Sequence, residues 1–296
     1  MVHRAILIAG PTASGKSALA LDMAERLGGE IVNADSMQVY GELRILSARP
    51  SMEDEARVPH HLYGVLSARQ VCSAGRWLEM LEPVLADIWS RGRPAIIVGG
   101  TGLYFRAALQ GLAPTPDIPE EVKGQAQTIL EEGGSEALHR ALAVLDPAMA
   151  SRLNPGDPQR VARAWEVVRA TGRSLADWQA EEMPSLLGPL ESAGELRKIA
   201  LRPDRQWVYD RIDRRFEQMV AEGGLNEARV LAGMGLTARH PVMKALGLPS
   251  LMAHVRGEMP LDEAIAHAQT QSRRYAKRQM TWIRHQFADW ETGFAQ

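Results

Sequence analysis

The chain has 296 residues, enough to bury a large core and to divide into one large domain and a smaller one. Its hydrophobic content of 45%, charged content of 24% and net charge of -2 fit a globular protein and exclude one that is basic throughout, while leaving room for a local basic patch. The single cysteine, Cys72, excludes an internal disulfide, no Cys pair or His spacing of a zinc site occurs, and no apolar run approaches the ~18 residues that span a bilayer. The N-terminus runs into a strand and not into a secretion signal, so a cytoplasmic protein is expected.

The first apolar run, Ala5 to Ala9, reads as a strand and leads into Gly10-Pro11-Thr12-Ala13-Ser14-Gly15-Lys16-Ser17. Glycines at 10 and 15 let the backbone approach closely, so that successive N–H groups and the positive end of the next helix converge on a polyphosphate. Lys16 would reach the terminal phosphate and Ser17 would hold Mg²⁺. A helix from about Ser17 to Leu27 stops at Gly28-Gly29, and Glu30 to Ala34 reads as the second strand. That strand delivers Asp35-Ser36-Met37-Gln38 to its carboxyl end, the edge at which open α/β sheets bind ligands. Asp35 then stands near the phosphate loop, provided the two strands are parallel neighbours. From position alone it serves equally well as the cap of the next turn.

His61 to Leu66 reads as a third strand, with the adjacent His60 and His61 structural or solvent-facing. Ser73 to Trp89 carries a helical pattern in which Pro83 predicts a kink or a break. Ala95 to Val98 is an uninterrupted apolar strand that ends in a second glycine-rich turn, Gly99-Gly100-Thr101-Gly102-Leu103-Tyr104. A motor-type NTPase would carry an acid there, and two glycines weaken the hydrolytic reading. Prolines at 114, 116 and 119 mark a boundary, beyond which the pattern is helical with no strand-like run. Residues 1–115 are therefore read as the first part of the core, 116–185 as an inserted helical domain and 186–296 as the second part of the core. In the insertion, Arg160 and Arg163 lie three apart on one helix face, which fits a solvated face as well as a binding one.

Met183 to Gly194 reads as a loop and Arg197 to Leu201 as a strand returning to the sheet. The last helix, about Leu261 to Gln286, has five Lys/Arg between 273 and 284 and no acid. Arg273 and Lys277 lie four apart, as do Arg274 and Arg278, and Tyr275 and Trp282 share a face. Such a stripe in a slightly acidic chain is a modest nucleic-acid signal. Together the elements predict an α/β fold, a P-loop NTPase-like parallel sheet flanked by helices, with an inserted helical domain.

Four segments closely resemble the bacterial tRNA dimethylallyltransferases: Gly10 to Ser17, Asn33-Ala34-Asp35-Ser36-Met37-Gln38-Val39-Tyr40, Val98 to Tyr104, and Arg274-Tyr275-Ala276-Lys277-Arg278-Gln279 with Thr281-Trp282. The first is common to many families, whereas the other three in this order are specific to this one. The resemblance implies transfer of a dimethylallyl group from dimethylallyl diphosphate to N6 of the adenosine just 3′ of the anticodon, releasing diphosphate. It implies that Gly10, Pro11, Thr12, Ala13, Ser14, Gly15, Lys16 and Ser17 bind the diphosphate with Mg²⁺ on Ser17, and that Asp35 is the general base. Thr101 would hold the adenine or the donor by its hydroxyl, and Arg229 would clamp diphosphate as a second positive charge.

Contacts to tRNA are expected from Asp35, Ser36, Met37, Gln38 and Thr101, from Lys123, from Gln159, Arg160, Val161, Ala162 and Arg163, and from Arg274, Lys277 and Arg278. The inserted helices would grip the anticodon stem-loop, with the target base flipped out of its stack. The expected cofactor is Mg²⁺, and the expected partners are tRNA and dimethylallyl diphosphate, with a monomeric protein and no membrane. A small-molecule or nucleotide kinase would use the same loop, and an adenylate isopentenyltransferase the same chemistry. A kinase often has a helical lid as well but no need of a basic terminal helix, and the insertion and that helix favour tRNA over the adenylate enzyme.

Overall fold

The structure, a computed structural model, describes residues 3–181, 183–237 and 240–293. The strands are β1 (Ala5–Ala9), β2 (Glu30–Asn33), β3 (His60–His61), β4 (Ala95–Gly99), β5 (Leu196–Leu201) and β6 (Glu291–Gly293). The helices begin with α1 (Lys16–Leu27), α2 (Met52–Arg57), α3 (Ala74–Ser90) and α4 (Gly102–Gln110). They continue with α5 (Glu120–Leu145), α6 (Pro147–Arg152), α7 (Pro158–Thr171), α8 (Leu175–Gln179) and α9 (Gly188–Ser192). The last four are α10 (Arg205–Met219), α11 (Leu225–Gly233), α12 (Leu248–Val255) and α13 (Leu261–Gln286). The chain divides into two compact units, Met1–Leu109 with Leu186–Gln296, and Gln110–Ser185.

In the larger unit all six strands run parallel, in the order β3-β2-β4-β1-β5-β6. The sheet is covered on both faces, which is why its central strands are apolar without alternation. Ala5, Leu7 and Ala9 of β1 pack with Trp77, Leu81 and Leu85 of α3, while Ile6 and Ile8 pack on Ala20, Leu21 and Ala24 of α1. Each fully buried Leu or Ile contributes about 1.5–3 kcal/mol. Parallel pairing sends every strand's carboxyl end to one edge, so the turns after β1, β2 and β4 converge there.

The adjacency of the first two strands, on which the placement of Asp35 was made conditional, does not occur, because β4 lies between β1 and β2. The third strand is far shorter than His61 to Leu66: Leu62 adopts φ 63 and Gly64 φ 61, which turns the chain out of the sheet. Only a single bridge, Tyr40 to Leu66, follows. Pro83 does not end α3, which runs on to Ser90. Within the stretch read as a loop from Met183 to Gly194, residues 188–192 form the short helix α9, which starts on Pro189 in its first turn.

The smaller unit is helical. Its core joins Leu138 and Leu142 of α5, Met149 and Ala150 of α6, and Val161, Ala164 and Val167 of α7. Gly134, at φ 69, interrupts α5. Asp146 caps α6 and Asp157 caps α7, each accepting from the backbone three residues on.

Candidate active site

Two glycine turns and the loop after β2 meet at the sheet edge. Gly10 N donates to Gly99 O (3.3 Å), and a Cβ at Gly99 would overlap the backbone of Ala34. Thr101 fastens these segments: its N donates to Ala34 O (3.2 Å), its Oγ1 accepts from Ser36 N (2.9 Å), and its hydroxyl donates to Ser36 Oγ (3.3 Å). Asp35 is fixed by Asn33, whose Oδ1 accepts from Asp35 N (2.8 Å), and its own Oδ1 accepts from Met37 N (2.9 Å). Oδ2 of Asp35 accepts no hydrogen bond among the described residues and lies beside Gly100, 3.4 Å from where a Cβ would stand.

The first turn is left-handed at Ala13 (φ 62) and Gly15 (φ 84), and Ser14 N donates to Pro11 O (3.2 Å). The buried Ser14 hydroxyl has no partner among the described residues. Two arginines of α10 brace the turn: Arg211 Nε donates to Ala13 O (3.0 Å), and Arg215 donates to the Thr12 hydroxyl. Lys16 Nζ donates to Pro11 O (3.3 Å). Burial pulls Lys16 down to about 8, Asp35 opposing and Arg215 adding to the shift. Arg215 is pulled down to about 10, first by burial and then by Arg211, again against Asp35. Both residues are only partly buried, so the shifts mark cations short of nearby negative charge, which an anionic ligand would supply. The cavity beside the turn measures about 740 Å³ and is lined by Lys16, Ser17, Arg49, Arg211, Arg214 and Arg215, among others.

From α13, Gln279 bridges the two glycine turns. Its Oε1 accepts from Thr12 N (2.8 Å) and its Nε2 donates to Gly100 O (2.8 Å). The Trp282 ring rests on Gly102, where a Cβ would collide with it, and packs edge-on against Phe287. Thr101, Phe105, Gln279, Trp282 and Phe287 help to line a second, mainly apolar cavity of about 240 Å³. On the outer side of α13, Arg274, Lys277 and Arg278 are exposed and have no ion pair among the described residues, and with Trp282 and His285 they line an open groove.

Several expected positions are placed differently. Arg229 is exposed on α11, donates to Asn226 Oδ1 (2.7 Å) and does not line the cavity, so the additional cations at the turn are Arg211 and Arg215 instead. Gln38 has spent both N–H donors on Ser47 O (2.9 Å) and Ala48 O (2.8 Å), which makes it a scaffold for the loop that follows. Val161 is fully buried in the smaller unit's core and cannot reach RNA, whereas Gln159, Arg160 and Arg163 around it are exposed. Arg160 pairs with Asp157 (3.3 Å), Arg163 donates to the Thr115 hydroxyl (2.6 Å) and Lys123 pairs with Glu120 (2.6 Å). Arg273 leaves the basic stripe to bind Asp213 (2.6 Å). His61 is structural, holding Glu30 (2.7 Å). Among the described residues no three His, Cys, Asp or Glu gather as a metal site, while Ser17 stands exposed at the start of α1 on the cavity wall.

The sequence reading passed over Arg211 and Arg215, and it quoted Gln279 within the terminal motif without giving it a role. The α10 arginines sit between core positions Val208, Ile212 and Phe216, so their spacing alone put them beside a buried face. Gln279 shares the buried face of α13 with Ser272, Ala276 and Ile283, and an amide at such a position signals an internal partner.

A parallel sheet whose first strand enters a glycine-rich turn and a helix, with a cationic cavity beside that turn, defines the phosphate-loop-like class of α/β proteins. Within that class the comparisons are specific. The profile of the IPP transferase family matches residues 38–286, and that of the isopentenyl transferases matches residues 3–71. The tRNA dimethylallyltransferase of Parvibaculum lavamentivorans is 53% identical over 99% of this chain and 91% of its own length. The crystal structure of the tRNA isopentenylpyrophosphate transferase of Bacillus halodurans is 33% identical, with a TM-score of 0.67 over 96% of this chain and 87% of that one. A eukaryotic dimethylallyltransferase acting on tRNA superposes with a TM-score of 0.79 at 26% identity, over 94% of this chain and 69% of that one. The chain belongs to the IPP transferase family.

Proposed function

We propose that the protein transfers a dimethylallyl group from dimethylallyl diphosphate to N6 of the adenosine 3′-adjacent to the anticodon of tRNA. The observation that carries this reading is the juxtaposition, at one sheet edge, of a carboxylate with a free oxygen and partly buried cations: Asp35 acts electrostatically on both Lys16 and Arg215. Prenyl transfer needs both. As the bond between C1 of the donor and its diphosphate oxygen breaks, its electron pair leaves with the diphosphate, and Lys16, Arg211 and Arg215 meet the growing charge. As the N6–C1 bond forms, the N6 proton passes to Oδ2 of Asp35, which counters the delocalisation that makes an adenine amine a poor nucleophile. Thr101 acts mainly by holding Asp35-Ser36 to the second turn, and Gln279 by fixing that turn to the first.

Mg²⁺ fits the residues present. The Ser17 hydroxyl and phosphate oxygens suit an ion that keeps most of its waters and needs no protein cage. When bound it would add positive charge against the leaving diphosphate. The exposed Arg274, Lys277 and Arg278 of α13, and Lys123, Gln159, Arg160 and Arg163 of the smaller unit, supply phosphate contacts to the anticodon stem-loop. Among the described residues no helix is long and apolar enough to cross a membrane, and a cytoplasmic place beside tRNA is in keeping with that.

The test incubates the protein with Mg²⁺ and labelled dimethylallyl diphosphate in the presence of unmodified tRNA, AMP or ATP. Label entering tRNA alone is expected. Label entering a free nucleotide would assign the acceptor wrongly, and no label in any arm would remove the donor.

A further inference from the structure

Arg49 is the one cation of the turn's cavity that the reaction described above leaves unused while it is also held inside the protein. Its side chain is only 10% exposed. Its Nε is buried without a partner, and its guanidinium makes no hydrogen bond to any described residue. The nearest carboxylate, Glu55, is 3.9 Å away and is already engaged by Arg44 at 3.2 Å. One N–H donor is thus withdrawn from water without a partner, and the guanidinium as a whole has one shared, distant counter-charge, an arrangement that costs stability unless an anion completes it. Burial, and next the neighbouring Arg44, disfavour its charged form, in keeping with this shortage.

The chain builds this position at some expense. Gly64 suits this place, because it adopts φ 61 and because a Cβ there would displace the Arg49 guanidinium. Ala48, immediately before it, is itself left-handed at φ 55. Gln38 holds the carbonyls of Ser47 and Ala48, and the Glu227 carboxylate gathers the N–H groups of Arg44 (2.9 Å), Ile45 (2.7 Å) and Leu46 (2.9 Å). Two distant side chains therefore fix the loop that delivers one guanidinium into the cavity shared with Lys16 and Ser17.

We propose that Arg49 is a further donor-binding residue, whose guanidinium takes phosphate oxygens of the diphosphate from a wall distinct from the glycine turn and α10. This rests on the reading of the cavity as the diphosphate site. A planar fork is suited to two phosphate oxygens at once, which an ammonium is not.

The test titrates inorganic diphosphate with Mg²⁺ into wild type, Arg49→Ala, Arg49→Lys, Arg49→Met and Lys16→Ala, alongside a tRNA gel shift and thermal melts. Loss of charge-assisted bonds predicts diphosphate affinity reduced roughly ten- to a hundredfold in Arg49→Ala and Arg49→Met, with partial retention in Arg49→Lys. Guanidinium ion at millimolar concentration should restore part of it in Arg49→Ala. Free Arg49→Met should melt no lower than wild type, since an uncompensated buried charge is removed while side-chain volume is kept. Arg49→Met serves as the deciding variant if Arg49→Ala fails to fold. Diphosphate affinity within twofold of wild type in Arg49→Met, with Lys16→Ala impaired, overturns the assignment of Arg49 alone. A fall in tRNA affinity with diphosphate binding intact would give the guanidinium to the RNA backbone and overturn it too. If Lys16→Ala also binds diphosphate normally, it is the diphosphate reading of the cavity that fails.

Discussion

Two basic regions of this molecule use the same side chains in opposite ways. At the glycine turn, Lys16, Arg211 and Arg215 are fastened to backbone or hydroxyl oxygens of the turn, and burial depresses Lys16 and Arg215. On α13, Arg274, Lys277 and Arg278 stand in solvent with no carboxylate partner among the described residues, Arg278 lying 5.6 Å over the Tyr275 ring. A desolvated, oriented cation acts at short range on charge that develops in a reaction. A solvated one acts at long range and is screened by salt. Under the proposed function the first region would act on the leaving group and the second on the RNA.

The largest effect that would sharpen this contrast comes from the carboxylate facing the cations of the turn. Asp35→Asn keeps shape and one acceptor oxygen but removes the proton acceptor, and the single-turnover rate should fall about 10²–10⁴-fold. Donor and tRNA affinities should change much less. Next in size, Lys16→Ala should lower the single-turnover rate by about 10²–10³-fold, the scale of removing one oriented charge stabiliser, while tRNA gel shifts stay near normal. Equal loss of tRNA binding would erase the distinction between the regions.

A smaller effect belongs to the exposed stripe. Replacing Arg274, Lys277 and Arg278 together with Ala should reduce the slope of log affinity for tRNA against log salt by about 2, since roughly 0.7 counterion is released per phosphate contact on a single strand. Turnover at saturating tRNA should change little. An unchanged slope would make the stripe a solvated face. The smallest effect is on stability. Lys16 has its folded pKa lowered to about 8 from 10.5, so its charged form is penalised in the fold. The penalty is complete below about pH 8 and shrinks as pH rises towards 10.5, where the folded lysine is neutral and the unfolded one still charged. Free Lys16→Met should be more stable than wild type near neutrality by on the order of 1 kcal/mol. That gap should narrow in melts between pH 8 and 10.5.

The parts that were legible in the sequence are those set by local pattern. The buried runs Ala5 to Ala9 and Ala95 to Val98, the glycine turns after them and the full span of α13 follow from apolar continuity, glycine and helical period. Sheet order was not legible, because nothing in β1 or β2 records that β4 inserts between them. The strand expected at His61 to Leu66 failed on backbone conformation, left-handed at Leu62, which no residue preference announces. In the site, position alone left Asp35 equally a turn cap, and its expected role and that of Thr101 rested on the family resemblance. Gln38 and Gln279 were not understood, because an amide's role depends on partners 10 and 267 residues away. Arg229 was expected at the site on resemblance, whereas burial selects Arg215.

The division between the two basic regions is tested most directly by a crossed measurement on two variants. Inorganic diphosphate and unmodified tRNA are each titrated into Arg215→Ala and into the triple variant of Arg274, Lys277 and Arg278. The account predicts that Arg215→Ala loses diphosphate affinity and keeps tRNA affinity, and that the triple variant does the reverse. Parallel losses of both ligands in both variants would contradict it.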